Sequence, residues 1–144
     1  EDAFAAIPLL VSFIPMLMDT GGNCGSQSAT LIIRGIALGE IQFKDIFRVI
    51  FKEFRVSLIV SVVLALTNGI RILIMYKDMA LALVIGLSLI GTVIISKLIG
   101  CVLPLFAKKV HLDPAIMASP LITTLVDTCS ILIYFNIATM LFNL

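Results

Sequence analysis

Long apolar stretches alternate with short polar ones along this chain. The first apolar stretch covers residues 3–38, and three more cover roughly residues 56–75, 80–106 and 120–142. A helix needs about 20 apolar residues to cross a bilayer, so each stretch is long enough to be a membrane span. The pattern therefore predicts an all-α, polytopic transmembrane helix bundle of about four spans.

Residues 39–55 follow a different pattern, which predicts an amphipathic helix. Apolar residues recur there every three or four positions, at 43, 46, 47, 50, 51 and 54. That spacing places them on one face of a helix, and the opposite face is basic. We predict an interfacial helix that lies on an anionic membrane surface and leads into the second span.

Composition indicates a membrane protein. The 144 residues are 60% hydrophobic and 13% charged, whereas a soluble domain has roughly 25% charged residues. The net charge of +1 gives no electrostatic footprint for nucleic acid. Three cysteines, Cys24, Cys101 and Cys129, lie in apolar or glycine-rich stretches and are interpreted as small buried hydrophobes. The sequence contains no nucleophile–base pair and no phosphate-binding loop, so we predict that it is not an enzyme.

The distribution of basic residues predicts the orientation in the membrane, because cytoplasmic loops carry an excess of Lys and Arg. With four spans, one side carries only Arg71 and Lys77. The other side carries Arg34, Lys44, Arg48, Lys52, Arg55, Lys108 and Lys109. We therefore predict a cell (inner or plasma) membrane protein with the amphipathic helix and the Lys108 loop in the cytoplasm.

The chain begins at Glu1, and its first residues have neither a basic region nor a small-residue cleavage site. They do not resemble a signal peptide. We interpret residues 1–144 as a single transmembrane pore domain from a longer protein.

Asp127 is the most informative residue, because it is a carboxylate within an apolar span. A charge at the centre of a membrane helix costs at least about 2.5 kcal/mol, and such residues generally face a bundle interior or a water-filled path. Thr123, Thr124, Ser130 and Tyr134 recur near it at helical spacing. This polar stripe fits either the wall of an aqueous pore or hydrogen bonds between helices. The carboxylate favours the pore, because contact between helices does not require one.

A second polar segment, DTGGNCGSQS, starts at Asp19 and interrupts the first apolar stretch. Asn23 and Gln27 oxygens, together with backbone carbonyls freed from a helix, suit a hard cation. The alternative is close packing of helices, because Gly21 and Gly25 have the spacing of a GxxxG contact. Packing alone does not explain the polar side chains of Asp19, Asn23 and Gln27, so we favour a pore wall.

Two further charged residues are interpreted as structural. Lys97 lies nearer the cytoplasmic end of the third span, and we predict that it snorkels to the interface, with pairing to a carboxylate or to carbonyls as the alternative. Asp113 precedes Pro114 and is predicted to cap a short helix. The candidate metal ligands in the sequence are mostly carboxylate, carbonyl, hydroxyl and amide oxygen atoms, which suit Mg²⁺, Ca²⁺ or Mn²⁺ better than zinc or copper.

Three segments of the chain resemble the MgtE family of magnesium channels. They are IPMLMDTGGNCGSQSATLIIRGIALGEI at residues 14–41, SKLIGCVLP at residues 96–104 and LDPAIMASPLITTLVD at residues 112–127. The resemblance implies a five-helix membrane domain that forms a homodimer with the pore on its two-fold axis. This chain would hold the last four helices, without the first helix and without the cytosolic regulatory domains.

The resemblance also implies roles for individual residues. In the family, the acidic residue at the Asp127 position binds the ion in the pore, and the carbonyl at the Thr123 position helps. We therefore predict these two as metal-binding residues. The residues predicted to line the pore are Asn23, Gly22, Thr124, Asp19 and Gln27. Asp19 departs from the family, which has a small residue there, so it would add a cation site or lie at the dimer interface.

These observations predict a divalent cation channel that conducts Mg²⁺ along a homodimer axis within the lipid bilayer. Since Mg²⁺ gives up its water reluctantly, we expect a largely hydrated ion. A secondary transporter that couples a divalent cation to Na⁺ or H⁺ is the alternative, because a carboxylate and an interrupted helix serve it equally well. A non-conducting membrane anchor is the third hypothesis.

Overall fold

A computed structural model of the chain describes residues 8–117 and 119–142. The predicted start of the first apolar stretch, residues 3–7, lies outside them. The long helices of the described part are α1 (Ile14–Ala37), α2 (Ile46–Tyr76), α3 (Met79–Lys109) and α4 (Ser119–Phe142). Residues 8–12 are helical before α1, and short 3-10 helices, Phe43–Asp45 and Pro114–Met117, precede α2 and α4. The predicted all-α bundle is confirmed.

Three of the described helices are long and apolar enough to cross a membrane: α2 with the turn before it, α3 and α4. Helix α1 has 24 residues and is roughly 36 Å long, which also exceeds a hydrocarbon core of about 30 Å. Its polar segment after Asp19 makes it less apolar than the other three.

The predicted amphipathic segment is helical from Ile46 onward, but it continues without a break into the second span. Helix α2 therefore has 31 residues, because no glycine or proline interrupts it before Gly69. The aromatic residues of its apolar face are exposed, as expected of residues that meet lipid, but part of its polar face is buried. Phe47 and Phe51, from the apolar face, are exposed, whereas Glu53 is buried against the rest of the protein. The aromatic residues therefore face the surroundings of the bundle, as suits a span in lipid.

Local sequence accounts for where the helices begin and end. Pro15 lies in the first turn of α1, where its missing N–H costs nothing. Gly39 follows α1 with a φ of 73°, the left-handed conformation that commonly ends a helix. Asp78 caps α3 by accepting a hydrogen bond from the backbone N–H of Leu81 at 3.1 Å. Asp113 accepts one at 3.0 Å from a backbone N–H two residues later, as expected of a cap.

Helix α3 is the centre of the bundle. Helices α1, α2 and α4 each pack against it, and α1 also packs against α4. Two main apolar clusters lie along α3. Leu17, Ile85 and Leu89 belong to the cluster near its start, and Ile32 and Cys101 belong to the cluster near its end. The arrangement places α1 and α4 side by side on one flank of the bundle.

Glycines allow α1 to approach both of its neighbours. A Cβ atom added to Gly21 would lie 2.8 Å from side-chain carbons of Thr92 on α3 and Val126 on α4. At the closest point between α1 and α3, a Cβ on Gly100 would overlap the carbonyl oxygen of Gly25. Helix α1 remains helical through this segment. The carbonyls are therefore not freed as the pore-wall hypothesis requires, and at Gly21 and Gly25 the packing alternative is correct.

Tyr134 belongs to the predicted polar stripe on α4, but it is buried, and its hydroxyl donates to the carbonyl oxygen of Leu10 at 2.7 Å. We expect Tyr134→Phe to lower the free energy of unfolding by about 1 kcal/mol, the usual net contribution of such a bond. Thermal unfolding in detergent measures the change. Tyr76→Phe is the matched control, because the Tyr76 side chain is exposed and its hydroxyl has no hydrogen-bond partner among the described residues. Equal unfolding temperatures for the two variants would contradict the assigned bond.

Candidate cation site

Asp127 faces a polar groove of about 200 Å³ between α1 and α4. The groove is lined by Met18, Asp19, Gly22, Asn23, Thr123 and Asp127. All but the methionine are residues that the sequence singled out. The fold therefore brings the two polar segments together, although one lies near the start of the chain and the other near its end.

The groove has two layers because α1 and α4 run antiparallel. Asp19 and Asn23 are one turn apart on α1, and Thr123 and Asp127 are one turn apart on α4. Gly22 lies against Thr123, where an added Cβ would be 3.1 Å from the threonine methyl carbon. This contact sets Asn23 level with Thr123, and it sets the two carboxylates level with each other one turn away. The groove thus has a carboxylate layer and an amide-and-threonine layer.

The carboxylate of Asp127 has no hydrogen-bond or ion-pair partner among residues 8–117 and 119–142. The side chains of Asp19 and Asn23 also lack a partner within these residues, and both are exposed to the groove side of α1. A carboxylate at membrane depth needs water or a cation when protein supplies no partner. The groove therefore presents oxygen atoms that have no protein partner among the described residues and that water or a cation could satisfy.

The donor set does not form a closed metal cage within one chain. In the part that the structure describes, no group of three or more His, Cys, Asp or Glu side chains is arranged to hold a metal ion. Two carboxylates and one amide oxygen are hard ligands of the kind that Mg²⁺ and Ca²⁺ prefer. An ion here would have to keep water molecules or take further ligands from a second copy of the chain.

Two of the predicted pore residues lie outside the groove. Thr124 is exposed on α4 and donates its hydroxyl to the carbonyl oxygen of Pro120 at 2.9 Å. Gln27 lies one turn beyond Asn23 on α1, and its side-chain oxygen accepts a hydrogen bond from Lys97 at 3.3 Å. Their role in a pore stays a prediction. The hydroxyl of Thr123 also donates to Pro120, at 3.0 Å, so toward the groove it offers only oxygen lone pairs.

The prediction that Lys97 snorkels is wrong, and the pairing alternative is correct. Lys97 is only 2% exposed, because α3 is surrounded by the other helices and its ammonium cannot reach the interface. The Nζ atom lies 3.8 Å from Oε2 of Glu53. The sequence carried a signal for this buried face, since Glu53, Ser57 and Ser61 recur every four residues along α2 and all three are buried. The aromatic residues of the amphipathic pattern obscured that signal, because they mark a different face of the helix.

Comparison with known proteins gives a consistent result. The model of the MgtE family, a family described as divalent cation transporters, matches residues 14–137. The chain is 41% identical over 139 residues to the magnesium transporter MgtE of Bacillus subtilis, covering 96% of this chain and 31% of that protein. It is 36% identical over 143 residues to the protein of that name from Thermus thermophilus, covering 98% of this chain and 31% of the relative.

A third magnesium transporter MgtE, from Enterococcus faecalis, is 33% identical over 140 residues, which cover 97% of this chain and 31% of the relative. The chain thus spans 31% of the length of each of these relatives. The match of the family model includes all of the groove residues. This multi-pass membrane chain belongs to the MgtE family of divalent cation transporters.

Proposed function

We propose that this chain is the pore domain of a Mg²⁺ channel, in which Asp127 binds the ion and two chains form the pore along a two-fold axis. The groove is the observation that carries the proposal. It presents a carboxylate without a protein partner among the described residues, level with the carboxylate of Asp19 and one turn from the amide of Asn23. Membership of a family of divalent cation transporters, and relatives that bear the name magnesium transporter, support the choice of ion.

A second copy of the chain would complete the site. The groove is open on one side and has two carboxylates per chain, so a two-fold axis beside it would surround an ion with four. Helix α4 also exposes the apolar side chains of Leu121, Leu125 and Leu132, which a second helix or lipid would cover. Carboxylates from the two chains would face each other across the axis. This arrangement is favourable only with a cation between them, because like charges repel.

The ion passes through the groove largely hydrated. Mg²⁺ holds its water tightly and prefers octahedral geometry, and the groove has too few protein ligands to replace that shell. Water bound to the ion would donate hydrogen bonds to the carboxylate of Asp127 and to oxygens of Asn23 and Thr123. Selectivity then comes from the width of the pore and from the field of the carboxylates, rather than from direct coordination.

The orientation follows from charge. The end of the bundle that carries Arg34, Arg48 and Lys108 would face the cytoplasm, because basic residues are retained on that side. Asp19 lies in the carboxylate layer, which is nearer the opposite end of α1. An ion that enters from outside would therefore meet the carboxylates first and the amide layer second.

Uptake of Mg²⁺ into liposomes that contain the purified chain tests this function. We expect uptake in the absence of any Na⁺ or pH gradient, because a channel needs only the gradient of its own ion. Protein-free liposomes are the control. Uptake that requires a Na⁺ or proton gradient would support the coupled transporter instead. A folded chain that gives no uptake under any gradient would support the anchor hypothesis.

A further inference from the structure

A buried polar network joins three helices beside the cation groove. Ser28 of α1 donates its hydroxyl to Oε2 of Glu53 on α2 at 2.6 Å. The ammonium of Lys97 on α3 lies 3.8 Å from the same carboxylate oxygen. It donates at 3.3 Å to the hydroxyl oxygen of Ser28 and at 3.3 Å to the side-chain oxygen of Gln27. Each of the three helices thus contributes a side chain to one connected group.

The ion pair is enclosed by protein. The side chains of Lys97 and Glu53 are 3% and 8% exposed. On its other side Glu53 borders a cavity of about 470 Å³ that Arg34, Arg48 and Lys52 also line. None of these three cations comes within ion-pair distance, so Lys97 is the sole counter-ion of Glu53 in the part of the chain that the structure describes.

Stability alone does not account for this pair. Removing two charges from water costs several kcal/mol per ion, and a well-packed neutral pair is often as stable or more stable. Charged residues inside membrane segments are accordingly a reason to look for a function. Neither residue lines the cation groove, so the pair needs an explanation of its own.

The network holds helix α1 at two adjacent positions, Gln27 and Ser28. Gln27 lies one turn from Asn23 on the same face of the helix, and Ser28 is the next residue, about 100° further around the axis. One ammonium that holds both positions leaves α1 little freedom to rotate. Gly21 and Gly25 bring α1 close to α3 and α4 without side chains of their own, so the polar contacts of Gln27 and Ser28 add to this backbone packing in fixing the rotation of α1.

We propose that Lys97, held in place by Glu53, is a positioning residue for the cation groove. It fixes the rotation of α1 about its own axis and so keeps the amide of Asn23 turned into the groove. The inference rests on the proposed cation site, but it concerns residues that do not touch the ion.

A double-mutant cycle tests the proposal, with calorimetric titration of Mg²⁺ into the detergent-solubilised chain as the measurement. Lys97→Met and Glu53→Gln are introduced together, so that no buried charge is left without a partner. This neutral pair, Asn23→Ala and the triple variant are compared with the wild type. We expect the neutral pair and Asn23→Ala each to raise the apparent Kd about fivefold. The triple variant should be no weaker than either, because effects that act through one group are not additive.

Two further variants separate positioning from general damage to the fold. Lys97→Arg keeps the charge and can still donate to Glu53, so its Kd should lie nearer the wild type than that of the neutral pair, although the larger guanidinium does not fit the buried site equally well. Ser57→Ala removes a buried hydroxyl of α2 whose partner among the described residues is the carbonyl of Phe54 on its own helix. This control should leave the Kd unchanged. Melting temperatures show which variants fold, and Ser28→Ala replaces the neutral pair in the cycle if that pair does not fold.

The possible results test the cation site at Asp127 and the positioning role of Lys97 separately. Wild-type binding that survives Asp127→Asn would overturn the cation site itself. Binding that depends on Asp127, with effects of the neutral pair and of Asn23→Ala that multiply in the triple variant, would overturn the positioning role alone. A folded neutral pair that binds Mg²⁺ as the wild type does would also overturn it.

Discussion

Asp127→Asn is expected to reduce Mg²⁺ uptake into liposomes by about tenfold or more. The change keeps the size of the side chain and removes its charge. A unit charge at about 4 Å from another contributes on the order of 1 kcal/mol in bulk water and about 4 kcal/mol near a protein surface, and the ion carries two charges. Since about 1.4 kcal/mol corresponds to a factor of ten, loss of the carboxylate on both copies should nearly abolish binding and conduction.

Asp113→Asn is the matched control for this variant. Asp113 lies in the loop before α4, is exposed, and accepts one hydrogen bond from a backbone N–H, which asparagine also accepts. The initial rate of uptake by this variant should equal that of the wild type. Near-normal uptake by a folded Asp127→Asn protein would rule out the assigned role of Asp127.

Gly100→Ala is expected to destabilise the chain strongly, although it adds a single methyl group. The added Cβ would overlap the carbonyl oxygen of Gly25. Because that contact is backbone, no side chain can move aside, and α1 must separate from α3. Overpacking of this kind typically costs about 1–3 kcal/mol. Separation of α1 from α3 would also move α1 relative to α4 and change the groove. Both the unfolding temperature in detergent and the uptake of Mg²⁺ should therefore fall.

Gly69→Ala makes the same chemical change at a position with the opposite expectation. A Cβ there has no neighbouring atom within 4 Å, and Gly69 lies within α2. Alanine should therefore stabilise the helix by roughly 0.5–1 kcal/mol. Equal unfolding temperatures for the Gly100→Ala and Gly69→Ala proteins would contradict the close crossing of α1 and α3.

The helices could be predicted from the sequence because long apolar runs admit few alternatives in a membrane. The packing faces could not be predicted so well. In α2 the aromatic residues Phe47 and Phe51 are exposed, and the buried face carries Glu53. In a membrane span lipid accepts apolar side chains as readily as a protein core does, so the hydrophobic pattern does not reveal which face packs against protein.

The candidate site, too, could be predicted from the sequence only in part. Asp127, Asn23 and Asp19 could be found because polar residues at membrane depth are costly and therefore informative. That Thr124 and Gln27 lie outside the groove could not be predicted, since it depends on how α1 and α4 rotate against each other. The partner of Lys97 is Glu53, and the two are far apart in sequence. Only the fold brings them together.

Calorimetric titration of Mg²⁺ into the purified chain, with wild type and Asp127→Ala compared under the same conditions, shows whether the ion binds at Asp127. The proposed site at a two-fold axis predicts about one bound ion per two chains in the wild type, and no measurable binding in the variant. Binding that is unchanged in the Asp127→Ala protein would contradict the proposed pore site and would place the ion elsewhere than on α4.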